Sequence, residues 1–415
     1  MNQLYLYIEN ITSRIQYVVG VLEVRWGCRI QLTDDFEYFK KLNHPKINYS
    51  EYNISSPNIQ IQPQGLLSQR EIGSFDFCEL ERDPLAFMFF LLSRYEEYVV
   101  LERDIHDRFP ANASYLYKTN RLQKAVVDRL INDLKQKIQH QFPTLKFKKA
   151  KYDAQFTIDI DQAYKFQHKS FKRFIGANIR DAIRLNFSSI IERKLTYLYL
   201  KKDPWNIYQK FKLESKHKKT QPTIFFLIGD LAANNKNLSF KNSAFQKVIR
   251  AVDSWATVGL HPSYGSYKDL NKVNIEKKRL EDIVNHSIIY SRQHYIQCSL
   301  PETYHCLIQA GITHDYSMGY AEDVGFRAGT ALPFLWYDLK NDKVTNLKIH
   351  PFCAMDVTLK NYLNLTIPEA NQILDDLKDE VQKVNGTFCI ITHNESLSGS
   401  AEWKGWGDML INYWE

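Results

Sequence analysis

The stretch Ala154–Gln155–Phe156–Thr157–Ile158–Asp159–Ile160–Asp161 decides the fold class. It reads as an apolar strand that ends on two carboxylates. Further runs of the same kind follow it. PTIFFLIGD (222–230) is bounded by Pro222 and Gly229–Asp230, and WATVGLH (255–261), SRQHYIQ (291–297), HDYSMGY (314–320) and GTFCIITH (386–393) are shorter candidates. Helical patterns lie between them at 243–255, 274–290, 304–311 and 367–384. Strands alternating with helices predict an α/β unit with a parallel sheet, either open or closed into a barrel. In such folds the chemistry collects at the C-terminal ends of the strands.

Upstream, the lysine-rich link FPTLKFKKAKYD (142–153) separates this unit from a smaller one. The expected division is 1–148, an N-terminal α/β domain, and 149–415, the strand–helix unit. In the first domain Tyr17 to Val24 and Ile59 to Gln62 read as short strands, and Pro84 to Val99 and Arg121 to Gln141 as helices.

The chain has 415 residues, 44% of them hydrophobic, which is enough for a large core and for two domains. No stretch of about 18 apolar residues occurs, so a membrane-spanning helix is not expected. Glu9 and Arg14 interrupt the N-terminus before any signal-type run, and the six cysteines form no CxxC pair. Together these predict reduced cysteines and a cytoplasmic location.

Charge is concentrated in one place. Residues 165–219 hold 15 Lys and Arg against 4 Asp and Glu, an excess of 11, whereas the whole chain carries only +7. The same segment, a basic insertion over about 165–220, has Phe171, Ile175, Ile179, Ile183 and Leu185 at helical spacing. Such a stretch either packs as a solvated helix or lies on an anionic membrane surface or polymer. Without a zinc-finger, helix-turn-helix or RNP-type motif, nucleic acid is not expected.

The strand ends supply the candidate site. Asp159 and Asp161 stand two apart and so share a strand face, where two carboxylates repel unless a cation or a proton lies between them. His261 ends VGLH and precedes Pro262–Ser263–Tyr264–Gly265–Ser266. Arg292 and His294 share a face by the same period, and His393 closes FCIITH. Asp315, Arg327, Asp356, Trp403 and Trp406 have either structural or ligand-contacting readings.

These residues resemble the polysaccharide deacetylases with a NodB-homology domain, carbohydrate esterase family four. Thr157–Ile158–Asp159–Ile160–Asp161 is similar to the family's T-F-D-D-G motif, and Gln221 to Phe226 to its A-T-F-F strand. His261 matches the leading histidine of H-x-x-x-H, Arg292 the motif-three arginine, and His393 the histidine after the last strand. FLLSRYEEY, HPSY, RQHY, DYSMGY, GFRAGT and THNE are similar to a bacterial branch typical of Bacteroidetes, with its own N-terminal domain.

The resemblance implies a NodB-type irregular (β/α) barrel and a metal-dependent hydrolase removing an N-acetyl group from a carbohydrate or glycan precursor. It assigns Asp159 as general base, Arg292 as its orienting partner and His393 as general acid. Asp161 and His261 would ligate zinc or another divalent ion. The family's second ligand histidine falls on Gly265, which has no side chain to offer. His294 is then a candidate third ligand, with Ser263 and Ser266 as weaker ones and Asp159 itself as a further one. The missing histidine equally suits an alternative, a non-catalytic carbohydrate- or partner-binding protein on a degenerate deacetylase scaffold. Hydrolysis of a non-sugar amide is a third reading.

Overall fold

The computed structural model describes residues 3–73 and 76–414. Its strands are β1 Gln3–Ile8, β2 Arg29–Thr33, β3 Lys46–Tyr49, β4 Ile59–Ile61, β5 Asp153–Ile160, β6 Thr223–Leu227, β7 Thr257–His261, β8 Tyr290–Ser291, β9 His314–Asp315, β10 Phe334–Asp338, β11 Lys343–Ile349, β12 Ala354–Met355 and β13 Thr387–His393. They form two sheets, β2-β1-β3-β4 and β10-β11-β9-β8-β7-β6-β5-β13-β12.

The larger sheet is parallel throughout except for the antiparallel β10/β11 pair. Its central strands β5, β6, β7 and β13 are the continuous apolar runs of the sequence, as expected of parallel strands covered on both faces. Register sets their ends together: His393 pairs with Asp159, and His261 with Leu227. The candidate site residues at these strand ends therefore share one rim.

The expected barrel does not close. Strands β10 and β12 stand at opposite edges and do not pair with each other. The β10 edge is covered instead by helices of the N-terminal region. Tyr17 donates to the Leu335 carbonyl at 2.8 Å, and the Phe89 ring packs edge-on against Tyr337 at 5.0 Å. Covering an edge shields it from pairing with another chain.

Three local expectations are corrected. Tyr17 to Val24 lies within the helix Ser13–Trp26, whose buried residues Ile15, Val18, Val19, Leu22 and Trp26 follow helical spacing. Thr12 caps its start and Gly27, at φ 62°, its end, so the β-branched run is overruled by caps and packing. The run SRQHYIQ is a strand only at its first residue and then turns, with His294–Ile296 as a 3₁₀ turn and Tyr295 at φ 59°. The helix beginning at Pro84 ends at Leu92, and a short turn Glu96–Val99 follows after Arg94 adopts φ 56°.

That break builds a buried ionic seam between the N-terminal region and the larger sheet. Arg94 meets Glu97 Oε1 and Glu96 Oε1, each at 2.7 Å, and Arg327 holds both oxygens of Glu97 at 2.9 and 2.6 Å. Tyr115 N–H fills the other Glu96 oxygen at 2.7 Å. Every charged group in it has a partner. Between β5 and β6 runs the basic insertion, with helices Phe171–Ile183, Phe187–Tyr197 and Tyr208–Lys218.

Candidate metal and acid–base site

At the C-terminal rim of β5, β7, β8 and β13 lies a cavity of about 300 Å³. Asp159, Asp161, His261, His294 and His393 all line it, and Arg292 is buried directly behind Asp159.

Arg292 is held before it holds anything. Its guanidinium lies 4.6 Å from the centre of the Phe225 ring and donates to the Tyr316 carbonyl at 3.1 Å and to Thr157 Oγ1 at 2.8 Å. Gly259 makes room for that ring, because a Cβ there would sit 2.5 Å from Phe225. So positioned, Arg292 Nη1 donates to Asp159 Oδ1 at 2.8 Å, while Asp159 Oδ2 stays 4.0 Å from His261 Nε2.

Asp161, His261 and His294 come together, with one ligand atom from each within 4.8 Å of the others. His261 Nδ1 faces the Arg292 carbonyl at 2.6 Å, and His294 Nε2 faces the Asn234 carbonyl at 2.9 Å. A carbonyl only accepts, so each of these nitrogens carries the ring proton. In the singly protonated rings this sets, the inward nitrogens, His261 Nε2 and His294 Nδ1, present lone pairs 3.1 Å apart. Asp161 Oδ1 lies 3.2 and 3.4 Å from them, buried and without a hydrogen bond.

Three electron-rich atoms facing one another repel unless a proton or a cation sits among them. Burial pushes His294 down to about 4, against the pull of Asp161, so near neutrality its inward nitrogen is not the proton's place. A divalent cation fits this donor set, which has the type and number of protein ligands of an open catalytic zinc site. Backbone carbonyls behind both imidazoles supply the orienting outer contacts such ligands require.

Across the cavity His393 Nδ1 contacts Asp356 Oδ1 at 2.8 Å, and Asp356 Oδ2 accepts from His393 N–H at 2.7 Å and from the Ser396 hydroxyl. Burial opposes charge on His393, but Asp356, and then Asp161 and Asp159, raise it to about 10. Its Nε2 is the ring nitrogen left for the cavity. The site thus has a carboxylate on one side and a cationic imidazole on the other.

Other expectations fall differently. Ser263 and Ser266 bind Glu276, not the cluster, and Gly265 does not line the cavity. Asp315 is spent on Ser291 and Ser317, and Arg327 on Glu97, so both are structural. Trp403 and Trp406 are core, at 4% and 5% exposure. Asp356 is fully buried as the partner of His393 and forms no sugar-binding wall.

Three wall residues carried no sequence signal. Arg108 comes from the N-terminal region and donates to the Tyr295 carbonyl at 2.9 Å. Tyr362 adds an aromatic face, and Gln293 is buried with neither amide atom hydrogen-bonded.

Residues 4–143 match the model of a family of unknown function, DUF7033. No curated protein matches the chain by sequence. Among solved structures, one assigned to the polysaccharide deacetylases, from Mycobacterium smegmatis, is 12% identical with a TM-score of 0.41, covering 64% of this chain and 83% of its own. A polysaccharide deacetylase from Bacillus cereus is 11% identical with a TM-score of 0.31, covering 64% and 87%. A mutant of a CE4 family pseudoenzyme with restored enzymatic activity is 11% identical with a TM-score of 0.32, covering 63% of this chain and 62% of that one. None is similar enough for its activity to transfer. Among the described residues no helix is long and apolar enough to cross a membrane.

Proposed function

We propose that this chain is a metal-dependent hydrolase that removes an N-acyl group, N-acetyl, from a carbohydrate or glycan precursor. One observation carries the reading: lone pairs of Asp161, His261 and His294 converge with both histidine tautomers set by backbone carbonyls, between Asp159 and His393. Asp161, His261 and His294 would hold zinc or another divalent ion. When bound, such an ion supplies Lewis acidity to an acyl oxygen and makes water a better nucleophile at neutral pH.

The remaining work belongs to the chain's own residues. Arg292 fixes Asp159 so that Oδ2 is turned toward the His261 side of the cavity, where it accepts a proton from the attacking water. The water oxygen bonds to the acyl carbon, and the carbon–nitrogen bond breaks. His393, cationic and steadied by Asp356, gives its Nε2 proton to the departing amine. The products are a carboxylate and a free amino group. Tyr295, Tyr362 and Gln293 in the wall suit a ring-shaped, hydroxylated substrate.

The test is metal uptake and acetate release from N-acetylated amino sugars by zinc- or cobalt-loaded protein. Asp159→Asn should slow release by about 10²–10⁴-fold while leaving metal uptake intact. No uptake of either metal together with no release sinks the proposal. A second reading, a carbohydrate-binding protein without turnover, rests on Gly265 standing where the resembled family has a ligand histidine. Saturable sugar binding by metal-free protein, with no release after loading, would select it.

A further inference from the structure

The helices Phe171–Ile183 and Phe187–Tyr197 pack as an antiparallel-type hairpin built inside out. Their buried side chains are Asp181 in the first and Arg193 and Thr196 in the second. Asp181 and Arg193 form an ion pair, Arg193 also donates to Asn178 Oδ1 at 2.8 Å, and Phe174 meets Tyr197 at 4.4 Å. Apolar side chains meanwhile face outward. Phe171, Ile175, Ile179 and Ile183 recur every fourth residue along one helix, and Phe187, Ile191 and Leu195 along the other, all exposed. Ile183 is 78% exposed, Leu185 74% and Leu200 72%.

A helix pair meeting only water buries its apolar stripe and exposes its charges. This one does the reverse. Eleven of the 26 exposed large hydrophobics among the described residues fall between Phe171 and Leu200. A contiguous apolar surface of this kind marks a contact site.

Charge identifies the partner. The insertion carries 15 Lys and Arg against 4 Asp and Glu. Arg173 and Arg180 on the first helix and Arg184 just after it line a cavity of about 940 Å³, joined by Lys165, Lys169 and Lys236. That cavity shares Gln162 and Lys236 with the catalytic one. A second copy docking by the same face would set like charge against like. An apolar stripe flanked by cations fits an interface whose inner layer is hydrocarbon and whose outer layer is anionic.

We infer that this hairpin docks the chain on an anionic lipid surface, with the apolar stripes in the acyl boundary and the basic groove among the headgroups. Its neck is firm: the Asp203 carboxylate accepts the backbone N–H groups of Lys165, Phe166 and Gln167 at 2.8–2.9 Å. Docking this way sets the catalytic mouth beside the headgroup layer. It does not depend on what reaction the mouth performs.

The test is co-sedimentation of the full chain with vesicles, one set of phosphatidylcholine alone and one with equal parts of phosphatidylglycerol. Binding is expected to the anionic vesicles and to weaken steeply with added salt. The charge-neutral variant Ile179→Gln/Ile183→Gln/Phe187→Gln should bind them about ten-fold more weakly, with unchanged helical circular dichroism. Lys172→Gln/Arg180→Gln/Lys194→Gln should weaken anionic binding similarly and leave phosphatidylcholine binding as it was. The inference is overturned if the anionic vesicles leave the protein in the supernatant, or if the apolar variant binds them unchanged. It is also overturned if sedimentation velocity finds a dimer that the apolar variant dissociates, since a second copy would then cover the face.

Discussion

Two clusters of charged and polar groups in this molecule differ in how completely their members are paired. In the seam, Arg94, Glu96, Glu97 and Arg327 satisfy one another, and Tyr115 N–H fills the last carboxylate oxygen. In the mouth, Asp161, His261 and His294 turn lone pairs toward one another, and the buried Asp161 Oδ1 faces only the two imidazole nitrogens, at 3.2 and 3.4 Å. A completed network holds two regions of chain together. An incomplete one, with the outer nitrogens of both imidazoles engaged by backbone carbonyls, has the donor set a cation would take. Charge alone does not distinguish them; the count of unmet lone pairs does.

Removing one member of each cluster is the strongest way to break the comparison. Arg327→Met in the seam takes the partner from Glu97 Oε2 and leaves Arg94 alone against the two carboxylates of Glu96 and Glu97, and urea denaturation should find a loss of about 3–5 kcal/mol. The same cluster predicts a pH dependence. Burial alone would raise Glu97, but Arg327 and Arg94 outweigh it and hold it down to about 2, against an ordinary 4.5. Because the folded value is depressed, this stabilisation is present above about pH 4.5 and lost as pH falls toward 2. Glu96, which burial raises despite Arg94, runs in the opposite sense. The measurement is therefore the melting temperature of wild type minus that of Glu97→Gln between pH 6 and 2.5, and the difference should shrink on acidification.

In the mouth the effect on stability should be far smaller. Metal-free His294→Ala loses one of the facing lone pairs, so its stability should stay within about 1 kcal/mol of wild type. Its zinc affinity should fall by more than about 100-fold by competition with a chelating dye. A stability loss matching the seam's would erase the distinction. The smallest effect is expected at Gly265. A Cβ there would meet only Lys272 Nζ, at 3.6 Å, so Gly265→Ala should change stability by under about 0.5 kcal/mol and leave zinc affinity unaltered. A change in affinity would mean that this loop, not His294, completes the metal site.

Much of the mouth was readable in advance for a simple reason. Asp159, Asp161, His261 and His393 each end or immediately follow a long apolar run, and parallel strands present their C-terminal ends together. His294 reaches the mouth by a route that period-two spacing does not predict. It does not share a strand face with Arg292 but arrives through a turn with Tyr295 in the left-handed region. Asp356 follows the two-residue strand β12, too short to leave a periodic signal, and Arg108 reaches the cavity from the N-terminal region.

By itself the sequence determined the alternation of strands and helices, the central strands and the acid and imidazole groups at their ends. These follow from local hydrophobic pattern, which needs no knowledge of distant partners. Tertiary structure alone decided that the larger sheet stays open, with N-terminal helices on the edge a barrel would have paired. It alone decided that the aspartate pair meets two histidines whose outer nitrogens are engaged by backbone carbonyls. Edge pairing and tautomer choice depend on groups far apart in the chain, and no local pattern records where those groups will lie.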